Sequence, residues 1–229
     1  MLSDCARYMW VFPLIGALIG LLAGLFGWVL LYVLPGIVVG ALVLGALLLL
    51  TGLHHTDGLL DFGDGVMAHG TPEHKIEVMH DQLTGAGGLT LGMMVLLVTA
   101  LAFSQLSANV MIQGVILVEV AAKLAMVVGA WAGKSIHKGM ASAFLEAMHG
   151  KLGNARLAVA ILISVSIAML LFWLNGVIVV LVACVAALTI VAISHKHFKG
   201  VTGDVLGATN ELCRMVSVLA LLALIWRCM

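Results

Sequence analysis

The fold turns on residues Thr51–Gly88, which read TGLHHTDGLLDFGDGVMAHGTPEHKIEVMHDQLTGAGG. Six of the chain's eleven acidic residues lie here (Asp57, Asp61, Asp64, Glu73, Glu77 and Asp81), with five of its nine histidines (His54, His55, His69, His74 and His80). On both sides the chain is almost entirely Leu, Val, Ala, Met and Gly. A sequence this apolar, with its acids confined to one stretch, has a single wet face and a body that avoids water.

Composition supports that reading. The chain has 229 residues, 63% hydrophobic and only 10% charged, and its mean hydropathy is +1.20. A soluble domain of this size needs a charged surface, and this chain cannot make one. We expect an all-α polytopic integral membrane protein in the cell membrane, residues 1–229 forming a single transmembrane domain. Zero net charge leaves no electrostatic footprint for nucleic acid. Cys5, Cys184, Cys213 and Cys228 are scattered, which argues against a disulfide framework or a zinc site. The first apolar stretch runs almost directly into a second, as a retained span rather than a signal peptide does.

A spanning helix needs about 20 apolar residues. Seven segments qualify: Met9–Leu31, Leu34–Leu53, Leu89–Leu106, Val110–Trp131, Ala155–Leu174, Val177–Ser194 and Met215–Trp226. Their connections fall into two kinds. Tyr32–Gly36, Ser104–Asn109 and Asn175-Gly176 are short and uncharged, whereas the N-terminus and residues 51–88, 133–154 and 195–214 are polar. Seven alternating spans put every polar segment on one side. That side collects Arg7, Lys75, Lys134, Lys138, Lys151, Arg156, Lys196, Lys199 and Arg214, and only Arg227 falls opposite. The positive-inside rule makes the polar side cytoplasmic. Gly16, Gly20 and Gly24 form a small-residue stripe suited to close helix packing.

His54, Asp57, Asp61 and Asp64 are spaced i, i+3, i+7, i+10. If span two continues as a helix into the cytoplasm, they share one face. Carboxylates on one stripe repel unless a cation sits among them, and hard oxygen donors suit Mg²⁺. His74, Glu77 and Asp81 repeat the pattern on a second helix, which Thr71-Pro72-Glu73 would start. Gly85–Gly88 offers backbone N–H groups to a phosphate at the start of span three; a tight loop before a membrane helix is the equal alternative. GVTGDVLGATNELCR (200–214) adds Asp204 and Glu211 at i, i+7, with Gly203 and Gly207 alongside. GKSIHKG (133–139), with Lys134 and Lys138, reads as a phosphate or nucleotide contact, or as a plain positive-inside loop. Glu119 and Lys123, four apart inside span four, are placed to pair with each other.

Three of these stretches, HHTDGLLDFGDG, EVMHDQLTGAGG and TGDVLGATNEL, resemble in order the signature blocks of the cobalamin synthase family, the adenosylcobinamide-GDP ribazoletransferases. The middle block departs from the family in reading MHDQLTG, where a basic residue after Met and a Ser after Asp are expected. Lys123 also stands where the family tends to have Arg. The resemblance implies a Mg²⁺-dependent transfer at the cytoplasmic face. The 5′ oxygen of α-ribazole, or of its 5′-phosphate, attacks the corrinoid-side phosphate of adenosylcobinamide-GDP, and GMP leaves. It implies metal or catalytic roles for Asp57, Asp61, Asp64, Glu77, Asp81, Asp204 and Glu211. The general base would be one of the carboxylates, His54 or His80. Gly85, Gly88, Lys134, Lys138, Gly203 and Gly207 would contact the nucleotide. The lipid bilayer, a homo-oligomer and a corrinoid-pathway enzyme that supplies the activated substrate are compatible partners. The competing readings are a Mg²⁺-dependent phosphotransferase or prenyltransferase of another pathway, and a cation- or proton-coupled transporter.

Overall fold

The computed structural model describes residues 6–136 and 140–226; Lys138 lies outside them. Among the described residues a 3₁₀ turn at Met9–Val11 leads into nine helices. They are α1 (Phe12–Leu30), α2 (Gly36–Leu50), α3 (His54–Met67), α4 (Pro72–Met79), α5 (Ala86–Phe103), α6 (Met111–Ala132), α7 (Met140–His149), α8 (Gly153–Phe198) and α9 (Gly203–Trp226). The described residues contain no strand beyond one parallel bridge between Ser135 and Val201.

Helix α6 is the hub. Nearly every residue from Gly114 to Ala130 is buried, although the helix is as apolar as its lipid-facing neighbours. Helix α1 closes on it along the glycine stripe. A Cβ at Gly16 would lie 2.6 Å from the Glu119 carbonyl oxygen, and one at Gly20 would lie 2.7 Å from Ile116 Cα. The stripe is therefore an intramolecular packing face, where two backbones approach without side chains between them.

Among the described residues five helices are long and apolar enough to cross a membrane, and α2 with α3 makes up to six. The seven expected segments correspond approximately to these, with two differences. First, the second span does not run on into the cytoplasm as a straight helix. It ends at Leu50, and α3 leaves at 96°. The bend is built from Gly52 (φ 66°) and Leu53 (φ 62°), both in the left-handed region, which stops a helix. A polar helix perpendicular to a spanning one lies along the membrane face, and we read α3 that way. Second, Asn175-Gly176 is not the turn between spans five and six. The chain breaks at Phe172–Trp173 (φ 53° at Trp173), and Gly176 then packs against the Ala168 carbonyl. A straight 46-residue helix would reach about 69 Å, roughly twice a bilayer core. The close return of Gly176 makes α8 a hairpin of two spans.

The polar segments meet at one end of the bundle. Val201 N–H donates to the Lys134 carbonyl (2.7 Å), Lys75 Nζ lies 3.1 Å from His197 Nδ1, and Arg7 lines a cavity with Lys151 and Arg156. Asp64 joins α3 to α5: its Oδ2 accepts from Gly85 N–H (2.7 Å) and its Oδ1 from Gly88 N–H (2.8 Å). A carboxylate at a helix N-terminus satisfies orphan donors and complements the helix dipole.

Two stability predictions follow from these contacts. Gly20→Leu forces a side chain into the α6 backbone and should cost at least about 1–3 kcal/mol. Gly45→Leu meets nothing within 4 Å and should be neutral when thermal unfolding is followed in detergent. By the same measurement Asp64→Ala, which orphans two N–H groups, should cost about 1–3 kcal/mol. The exposed Asp57→Ala should leave the unfolding midpoint unchanged or raise it, because it removes repulsion.

A carboxylate site where three sequence blocks converge

Helix α3 carries Asp57, Asp61 and Asp64, and its partner across the site is the first turn of α9. The two helices cross with their backbones nearly touching. A Cβ at Gly58 would sit 2.8 Å from Asp204 Cα, and one at Gly207 would sit 3.2 Å from His55 Cα. This crossing brings Asp204 beside the α3 acids. The effect registers at Asp61, whose carboxyl is pushed up to about 7, first by burial and then by the charges of Asp204, Asp57 and Asp64. Asp61 therefore keeps its proton several units above the usual carboxylate range, and a cation in the cluster would release it. His80, just past the end of α4, lies close enough to Asp204 to exert electrostatic pull on it.

These oxygen donors fit Mg²⁺ by chemistry and by their mutual repulsion. Among the described residues no three His, Cys, Asp or Glu side chains form a closed coordination group. Mg²⁺ does not require one, since it commonly takes one or two carboxylates and completes its shell with water and substrate phosphate.

Other expected site residues take different positions. Glu211 faces away from the cluster, into a buried polar chain between α6 and α9. Arg214 donates to both Glu119 and Glu211, Asn210 donates to Glu211 (3.1 Å), and Lys123 donates to Asn210 (2.6 Å). Glu119 therefore pairs with Arg214, not with Lys123, because α9 supplies a guanidinium that can meet its carboxylate in a forked geometry. The N–H groups of Gly85 and Gly88 are taken by Asp64, so both the phosphate role for these glycines and a simple metal role for Asp64 give way to helix capping. Gly207 is covered by α3 and serves the helix crossing; Gly203 is exposed and faces only Ala141.

Thr71 does cap α4, accepting from His74 N–H (3.3 Å), and Pro72 opens the helix. Asp81 falls one residue beyond the α4 C-cap and accepts from Leu83 N–H (3.1 Å), so it is exposed on a turn rather than on a helical stripe. Glu77 is exposed, 3.5 Å from His74. With His80 and Lys199 it lines a cavity of about 520 Å³. His54 is exposed at the start of α3, and Lys134 is exposed with its backbone N–H directed at His195.

The buried Asn210–Arg214 chain could not be found by spacing alone, since its members lie on two distant helices. His55 was also missed: its ring is held neutral by burial and by the nearby charges of Lys123, Arg214 and His54.

The first sequence block thus touches the other two, and the second acts electrostatically on the third. The first meets the second at Asp64–Gly85/Gly88 and the third at Gly58–Asp204, and the charge of His80 in the second reaches Asp204 in the third. Residues 2–222 match the family model described as cobalamin-5-phosphate synthase. The chain is 30% identical to the adenosylcobinamide-GDP ribazoletransferase of Methanococcoides burtonii, over 96% of this chain and 83% of that one. It is 33% identical to that of Methanocella arvoryzae (96% and 87%) and 34% identical to that of Halorubrum lacusprofundi (93% and 85%). No solved structure matches it. A model match over nearly the whole chain, with its signature blocks packed into one site, makes this chain a member of the cobalamin-5-phosphate synthase family.

Proposed function

We propose that this protein performs the late step of cobalamin biosynthesis in which adenosylcobinamide-GDP is joined to α-ribazole or its 5′-phosphate and GMP is released. Family membership supports the reaction. The observation that carries the site is the α3–α9 crossing, which gathers Asp57, Asp61 and Asp204.

The bond balance corrects one expectation. A family described by a 5-phosphate product keeps a phosphate on the acceptor's 5′ oxygen. That oxygen cannot also be the nucleophile, so another ribose hydroxyl attacks, and the same hydroxyl serves both acceptors. An oxygen–phosphorus bond forms at the corrinoid-side phosphate, the bond to GMP breaks, and the hydroxyl proton passes to a base.

One or two of the carboxylates Asp57, Asp61 and Asp204 would hold Mg²⁺, which when bound neutralises the diphosphate and its leaving group. We assign the hydroxyl proton to the His80 imidazole, whose charge acts on Asp204. Asp81, exposed on the turn after His80, adds a further carboxylate to the second block. The positive-inside bias of the polar segments supports a cytoplasmic position for this face.

A product assay on detergent-purified protein tests the reading. With adenosylcobinamide-GDP, α-ribazole 5′-phosphate and Mg²⁺, GMP and cobamide should appear in equal amounts. Asp57→Asn, Asp81→Asn and Asp204→Asn should each lower the rate roughly hundredfold or more while the unfolding midpoint holds. A folded wild-type protein that releases no GMP would contradict it.

A further inference from the structure

Beside the carboxylate site opens a cavity of about 330 Å³, lined by Gly70, Pro72, Lys75, Lys196, His197 and Lys199. Lys75 comes from α4; Lys196 and Lys199 come from the cytoplasmic end of α8 and its cap. No carboxylate lines it among the described residues. Lys75 Nζ lies 3.1 Å from His197 Nδ1, so its visible partner is an imidazole rather than an acid. No ion pair among the described residues involves any of the three lysines. Glu73 is close enough to act on Lys199, but it lines the neighbouring cavity. Three ammonium groups gathered in this way repel one another, and an anion offsets that.

The chemistry of the lining narrows the anion. A diphosphate that reacts with the help of Mg²⁺ belongs at the carboxylates. An amine-lined cavity with no acid has no ligand for a bridging cation and suits a phosphate held directly. In the reaction proposed above, on which this inference rests, one phosphate stays unreacted: the acceptor's own. The placement fits. Lys199 lines both this cavity and the 520 Å³ cavity that contains His80. An acceptor anchored at the lysines would extend its ribose toward His80 and the acids.

We propose that Lys75, Lys196 and Lys199 bind the 5′-phosphate of the acceptor nucleotide and set the preference for α-ribazole 5′-phosphate over α-ribazole. A phospholipid headgroup carries the same chemistry at a membrane face, so the test separates the two sources. The wild-type protein, Lys75→Gln, Lys196→Gln and the double variant are assayed with both acceptors. Each is placed in phosphatidylcholine nanodiscs and in discs containing phosphatidylglycerol. The wild-type protein should prefer the phosphorylated acceptor. Each single substitution should cut that preference about tenfold, through KM rather than kcat and equally in both lipids.

An unchanged preference, an equal loss with both acceptors, or an effect that follows the lipid would overturn the proposal. Failure of the wild-type protein with either acceptor would count against the reaction, not the site. Calorimetric binding of α-ribazole 5′-phosphate, weakened about tenfold in each variant, then still reads the site directly. Binding equal to wild type would overturn it.

Discussion

The structure depends on one contact, the crossing of α3 over the start of α9 with almost no side chain between them. Gly58 under Asp204 and Gly207 under His55 allow it. Any Cβ at Gly58 would meet the α9 backbone within 3 Å and lift α3 away from Asp204. Helix α9 is held in turn by the Lys123–Asn210–Glu211–Arg214–Glu119 chain, which ties it to the central helix α6. Charges buried this deep in an apolar bundle are retained only when each is answered. Here five polar side chains answer one another and fix the register of α9, and so the position of Asp204.

This division of labour explains why so apolar a chain concentrates its acids. Most of the sequence builds a bundle whose outer surface faces lipid and whose centre is α6. The α3 acids stand on a helix turned 96° from the one before it, where the polar segments of the bundle meet. There they can approach each other without entering the bilayer. Burial first, and then the approach of the other acids, pushes the Asp61 carboxyl up to about 7. A cluster poised in this way gains from a divalent cation and from the diphosphate that accompanies it.

Much of this was legible in the sequence, and the failures share a cause. Helix-period acids on His54–Asp64, the Thr71 cap and the apolar spans are local signals, and each appears in the structure. Long-range partners were not legible. Glu211 has the same spacing from Asp204 whether it faces metal or Arg214; only the position of α6 decides. Asp64 looks like its stripe-mates until α5 presents two N–H groups to it. Gly85 and Gly88 look like a phosphate cradle until the same carboxylate fills it. The α8 turn was misplaced by three residues because Asn-Gly is a strong turn signal, whereas here Gly176 serves close packing just after the turn.

The central claim is that α3 and α9 jointly form one divalent-cation site. Mn²⁺ titrated into the purified protein with adenosylcobinamide-GDP, and followed by electron paramagnetic resonance, tests it directly. Saturable binding that is weakened by Asp57→Asn on α3 and equally by Asp204→Asn on α9 is the predicted result. Binding that survives either substitution at wild-type affinity would show that the two helices do not share a cation, and would contradict the account.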